Sequence, residues 1–141
     1  LLLLIISACL FRSAIEVVVS DTPFTLSMNQ VEIPCDPLLQ CTRHSCTLNF
    51  SIKESWEPIS PWKQIKLVDG TLVTFNVTLV DTKGGVYKQN IIGSTTGNNQ
   101  KMIYVDFFPT ITKNTNIRMI KMQASSSISI EKITWHCFDN K

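Results

Sequence analysis

The sequence predicts an all-β domain: an antiparallel two-sheet sandwich, jelly-roll-like, with an immunoglobulin-like arrangement as the alternative. Three observations carry this expectation. Apolar and polar residues alternate with period two over short runs rich in Val, Ile, Thr and aromatics. Turn-forming residues interrupt those runs at roughly ten-residue intervals, and no stretch repeats its apolar residues with the period of a helix. The 141 residues suffice for one domain with its own core, and a hydrophobic fraction of 44%, with 7 Phe, 3 Trp and 2 Tyr, argues against disorder. Lys+Arg 13 against Asp+Glu 11 leaves a net charge of +2 without a basic run, so there is no electrostatic case for nucleic acid or an anionic membrane as partner.

Residues 1–14 read as a secretory signal peptide, truncated and cleaved. Leu1 to Leu4, Ile5 and Ile6 lead into Ser7, Ala8, Cys9, Leu10 and Phe11, an apolar stretch too short to span a bilayer. Neither a Met nor a basic segment precedes it, so the sequence is expected to begin inside the apolar part of the signal. Small residues place the cut after Cys9 or after Ala14, and either cut removes Cys9. The alternative is a lipoprotein box, Ile6-Ser7-Ala8-Cys9, with Cys9 acylated. Residues 15–141 are then a single disulfide-stabilised domain with no membrane span.

The mature chain opens with strands expected at 15–19, 24–28 and 31–34, followed by a cluster of three cysteines, Cys35, Cys41 and Cys46. With Cys137 these make an even number in a chain read as secreted, which predicts two disulfides. Spacing does not choose among the three pairings, but the bridge of Cys137 ties the last strand to the N-terminal third. A metal site built on Cys41, His44 and Cys46, with His136 beside Cys137, is the sharper alternative; no C-x-x-C pair supports it.

Strand 46–53 sets Cys46, Leu48, Phe50 and Ile52 against Thr47, Asn49 and Ser51. Strand 72–80 sets Val73, Phe75, Val77 and Leu79 against Thr74, Asn76 and Thr78. Each polar row carries a sequon, Asn49-Phe50-Ser51 and Asn76-Val77-Thr78, so both asparagines are expected on solvent-facing rows as N-glycosylation sites. Between these strands, a loop is expected at 54–63. It holds two tryptophans, Trp56 and Trp62, stiffened by Pro58 and Pro61 and flanked by Glu54, Glu57 and Lys63. Indole rings on a loop offer flat faces on which a sugar ring or partner side chain can stack, with Glu54, Glu57 and Lys63 supplying directional bonds; rings folded inward to cap the sandwich are the structural alternative.

Strand 64–68 turns into 72–80 through Asp69-Gly70, and Lys83-Gly84-Gly85 turns that strand into 86–92. The polar segment 93–101 is a second candidate carbohydrate contact, against the plainer reading of a solvated hairpin. Strands follow at 102–107, 116–122 and 127–138. Met119, Ile120 and Met122 occupy successive parities, as if that strand were buried on both faces or lined an apolar pocket. In the last strand Ile128 and Ile130 share one parity, and Ile133, Trp135 and Cys137 the other, which predicts a bulge near Glu131-Lys132. The run Asp106-Phe107-Phe108-Pro109, then Ile117 to Ile120, then Ile133-Thr134-Trp135-His136-Cys137 resembles in pattern the closing strands of galactose-binding-like domains over about 35 residues.

Catalytic chemistry leaves little trace. Only His44 and His136 could serve a histidine-dependent mechanism, and no G-x-S-x-G element, H-E-x-x-H helix or phosphate-binding Gly-rich loop is present. Acidic pairs such as Asp81 with Asp106 could serve a glycosidase cleft only if the fold set them about 5 to 10 Å apart. The expected function is therefore a non-enzymatic, secreted binding module for an extracellular glycan or protein, recognised through loops at one end of the sandwich. No cofactor is expected. A lipid or small-molecule carrier is the second reading: Cys35, Cys41 and Cys46 loosely resemble the N-terminal cysteines of lipid-recognition sandwich domains, although no cysteine lies between Cys46 and Cys137. A hydrolase is the third.

Overall fold

A computed structural model describes residues 14–59, 64–97 and 100–139. They contain no helix and eleven strands: β1 (Ala14–Ser20), β2 (Phe24–Leu26), β3 (Val31–Gln40), β4 (Ser45–Ile52), β5 (Trp56–Ile59), β6 (Gln64–Leu67), β7 (Leu72–Asp81), β8 (Val86–Gly97), β9 (Gln100–Phe108), β10 (Asn116–Ala124) and β11 (Ile128–Phe138). Every strand expected from the alternation is present, with β3 and β8 running further, to Gln40 and Gly97. β5 is the addition. Pro58 made this stretch read as loop, but β5 pairs with β6 alone, and an edge strand tolerates a residue without an N–H. The leader expected at 1–14 lies outside the described residues except for Ala14.

Neighbouring strands pair antiparallel in the order β1-β11-β4-β9-β8-β7-β10-β3, with β2 added to β11 and the β5-β6 hairpin added to β7. The all-β class stands, but the pairing does not divide into two separate sheets: it forms one continuous path that curls until nearly closed, like a barrel. The turnover is made within β8. Its first residues pair with β7 and its later ones with β9, and a register shift between Gln89 and Ile92 bends the strand in between. The curl is held at two places. β2 pairs with Ile128 and Ile130 of β11, and the next residue, Ser27, accepts the Ala124 N–H of β10 at 2.8 Å. At the far end of β11, the Trp135 indole N–H donates to the Gln40 carbonyl, where β3 runs out, at 3.1 Å.

Inside the curl the expected parities are kept. Val73, Phe75, Val77 and Leu79 point into the core, and Asn76 lies exposed on the other face. Phe50 and Phe75 meet edge to face at 5.2 Å between ring centroids, a favourable aromatic geometry. The bulge expected in β11 is found as a register shift between Ile130 and Lys132, and it brings Ile128, Ile130, Ile133, Trp135 and Cys137 all into the interior. A similar shift between Ile117 and Met119 resets β10, so Ile117, Ile120 and Met122 are buried and Met119 is half-buried; they are core, not the lining of a pocket. The two glycine turns form as expected. Gly70 (φ 91) and Gly84 (φ 83) adopt the left-handed conformation that a side chain disfavours.

Trp135 is 1% exposed, fills the core beside Cys137 and bonds across the interior. Trp135→Ala should therefore cost about 3–5 kcal/mol of unfolding free energy, measured by denaturant titration. A loss under about 1 kcal/mol would mean that this contact does not hold the curl together.

Candidate functional site

The outer face of β11, β4 and β9 carries a groove of about 360 Å³. Its shape follows from side-chain length. The outward residues of the middle strand, β4, are short: Thr47, Asn49 and Ser51. They are flanked by longer residues, Tyr104 and Asp106 on β9 and His136 and Phe138 on β11. Short residues between rows of long ones make a trough, and its floor is covered: Thr47 is 6%, Asn49 8% and Ser51 1% exposed. Asn49 sits opposite Tyr104 on one side and Thr134 on the other, and Thr47 sits opposite His136. Beyond β9, Gly93 is the partner of Tyr104, and a Cβ there would collide with the Tyr104 ring, so the missing side chain is what lets the phenol lie against β8. Ser94 adds a rim residue.

The polar groups are unequally satisfied. The Thr47 hydroxyl donates to Asn49 Oδ1 at 2.9 Å, which leaves the Asn49 amide NH2 without an acceptor among the described residues. Asp106 also has no hydrogen-bond or ion-pair partner among the described residues, and burial pushes its carboxyl above the usual carboxylate range. Asp81 shows the opposite situation. Burial would raise its pKa too, but the N–H of Gly85 at 2.7 Å, the Tyr87 hydroxyl at 3.0 Å and the N–H of Lys83 at 2.8 Å outweigh this and hold it low. Asp81 is thus a turn residue outside the groove and forms no acidic pair with Asp106 there. His136 packs edge to face on Phe138, with ring centroids 6.0 Å apart. The groove therefore offers a bare carboxylate, a free amide donor, a phenol and an imidazole beside aromatic surface.

The sequence-expected sites fall elsewhere. Trp56 is not displayed on a loop: it is a strand residue, 9% exposed and part of the core, with the Lys101 ammonium 4.1 Å above its ring centroid and bonded to its carbonyl. Glu57, on the opposite parity of β5, faces solvent, so the two do not share a surface. Trp62 and Lys63 lie outside the described residues. Glu54 accepts the Ser129 N–H at 2.8 Å and so ties the end of β4 to β11. The polar segment 93–101 falls at the end of β8 and the start of β9, which pair antiparallel as far as Gly97 and Gln100, and 98–99 lie outside the described residues.

Both asparagines were expected to face solvent. Asn76 does, but Asn49 is at the bottom of the groove, because β4 is flanked by longer side chains on both sides. Nor are the four cysteines paired as two disulfides. Among the described residues no two sulfurs lie at bonding distance; Cys41, Cys46 and Cys137 cluster, whereas the Cys35 thiol meets the Ile33 carbonyl, at 3.9 Å. Among the described residues no group of three His, Cys, Asp or Glu side chains is placed to hold a metal ion. His44 turns to Asp139, with Nδ1 3.0 Å from Oδ1. Sequence reasoning missed the groove because its parts come from strands whose adjacency no local pattern reveals. The one available signal was Asp106 itself, a carboxylate between Val105 and Phe107 in the otherwise apolar and aromatic run from Met102 to Phe108.

A comparison with known protein families and with curated sequences finds no match for this chain.

Burial predicts that Trp56→Ala costs about 3 kcal/mol or more in urea unfolding, while Glu57→Ala stays within about 0.5 kcal/mol. Equal, small effects would return Trp56 to the surface.

Proposed function

We propose that this chain is a non-enzymatic, secreted, N-glycosylated, disulfide-bonded binding module whose outer-face groove takes a carbohydrate. The observation that carries the reading is Asp106, a half-buried carboxylate with no partner among the described residues, beside Tyr104 and the free amide of Asn49. A polar group left costly and unpaired in a concavity is better explained by a ligand that completes it than by stability. A sugar ring supplies what is missing. Its hydroxyls donate to a carboxylate and accept from an amide, and its C–H face rests on aromatic edges of the kind that Tyr104, His136 and Phe138 provide.

The apolar leader and the sequon at exposed Asn76 support an extracellular setting. Asn76 is the sequon placed for a glycan, while a glycan on Asn49 would stand in the groove. We read the curled sheet as a jelly-roll-like sandwich, with β1-β11-β4-β9 as one layer, β7-β10-β3 as the other, and bent β8 passing between them. The ligand surface is then a sheet face and not the loops at one end. A carrier would need room between the layers, where Phe50, Phe75 and Trp135 are packed.

A glycan array probed with the wild-type protein, followed by titration calorimetry on the best hit, tests the reading. Asp106→Asn and Tyr104→Ala should each weaken binding at least about tenfold. Asp106→Asn should do so without loss of thermal stability at pH 7. The folded chain holds the Asp106 proton more tightly than the unfolded chain does. The resulting stability is complete below the ordinary carboxylate pKa and is lost as pH rises through the raised one. The Asn variant escapes that loss, so it should melt above wild type at neutral pH and show no advantage at about pH 3. Binding unchanged by Asp106→Asn would sink the groove as the site.

A further inference from the structure

We propose that Cys46 is the shared member of two alternative disulfides, Cys41–Cys46 and Cys46–Cys137, which exchange with each other where β3 runs out against β4 and β11, while Cys35 remains a free thiol. Neither the groove nor its ligand enters into this.

Cys46 and Cys137 are register partners on neighbouring strands, with their sulfurs 2.9 Å apart. Cys41, one residue past β3, places its sulfur 2.7 Å from the same Cys46 sulfur. A disulfide holds its sulfurs about 2.05 Å apart, so either bond needs a closing movement of under about 1 Å. One sulfur cannot make both. Thiolates around a tetrahedral zinc ion, at about 2.3 Å from the metal, would stand about 3.7 Å from each other, wider than either separation here. The Cys35 thiol meets the Ile33 carbonyl at 3.9 Å and, among the described residues, contacts none of the three clustered sulfurs.

The backbone keeps the three sulfurs together whichever bond forms. Cys41 donates its N–H to Thr115 O at 2.9 Å and accepts from Asn114 N at 2.8 Å. Asp139, two residues past Cys137, holds Arg43 at 3.2 Å and His44 at 3.0 Å and so pins the 41–46 turn against the end of β11. The cluster is also shielded, with Cys41 0%, Cys137 2% and Cys46 7% exposed.

Oxidation requires an external disulfide, such as glutathione disulfide. Two cluster thiols become one protein disulfide, and the oxidant leaves as two molecules of reduced glutathione. The exchange that follows needs no further oxidant. The third cysteine, as thiolate, attacks Cys46 Sγ; a new S–S bond forms as the old one breaks, and the displaced sulfur leaves as a thiolate that takes up the proton its attacker gave away. In the reduced cluster the hydrogen bond with Cys46 outweighs burial and holds the Cys137 thiol below the usual thiol range, which favours Cys137 as the sulfur that first meets the oxidant.

The test is made on the full chain, reduced and then equilibrated in a glutathione buffer, quenched in acid, alkylated while unfolded and mapped by mass spectrometry. The expected result is a protein two hydrogens lighter than its reduced form, with three alkylated cysteines: Cys9, Cys35 and one member of the cluster. Both cross-linked peptides should be present, in a ratio that is the same whether the protein was oxidised before or after folding. Loss of four hydrogens, no loss, a single cross-link, or a ratio that depends on the route would each overturn the proposal. Cys41→Ser and Cys137→Ser should each still form one disulfide. Cys41→Ser should gain more in melting temperature on oxidation, because its bond closes a far longer loop than the one from Cys41 to Cys46. Equal gains, or a failure of either variant to cross-link under the same buffer, would count against it.

Discussion

Burial of β4 on both of its faces is the constraint on which the core, the groove and the sulfur cluster all depend. Its inward row, Cys46, Leu48, Phe50 and Ile52, packs into the centre of the curl. Its outward row, Thr47, Asn49 and Ser51, is nearly as covered, because β9 and β11 carry larger residues on either side. A central strand so placed cannot have long outward side chains without filling the trough, nor short inward ones without opening a cavity. The polar residues it does carry are expensive to bury. Thr47 and Asn49 answer that cost by bonding to each other, while the Ser51 hydroxyl has no hydrogen-bond partner among the described residues.

The same strand joins the closure of the fold to its sulfur chemistry. Cys46 begins the inward row, faces Cys137 across the ladder and meets Cys41 at the end of β3. The Gln40 carbonyl accepts from the Trp135 indole at 3.1 Å, so the residue before Cys41 is tied to the strand that carries Cys137. A cross-link here joins elements already held by hydrogen bonds, and its contribution is exerted mainly on the unfolded chain.

The two aspartates discussed above show how a fold separates structural from functional carboxylates. Asp81 is surrounded by donors from its own turn and stabilises that turn by accepting them. Asp106 has the same chemistry and no such partners, and its burial works against its charge. A site that lowers stability where it stands is the usual mark of a group kept for binding, and the proposal of a glycan groove rests on that contrast.

Much of the architecture was legible from local pattern alone. Period-two alternation located the strands, Asp69-Gly70 and Lys83-Gly84 located the turns, and the change of parity between Ile130 and Ile133 located the bulge in β11, because each of these is decided by neighbours within a few residues. Which strands lie side by side was not legible. β4 pairs with β9 from more than fifty residues away and with β11 from more than seventy, and only such adjacency decides whether Asn49 faces water or the floor of a groove and which cysteine reaches which. Alternation specifies that a side chain points outward; the length of the side chains on the adjoining strands determines whether outward means exposed. The sequence alone determined an all-β chain with polar and apolar faces, and the tertiary structure decided that its most informative polar face is a covered one.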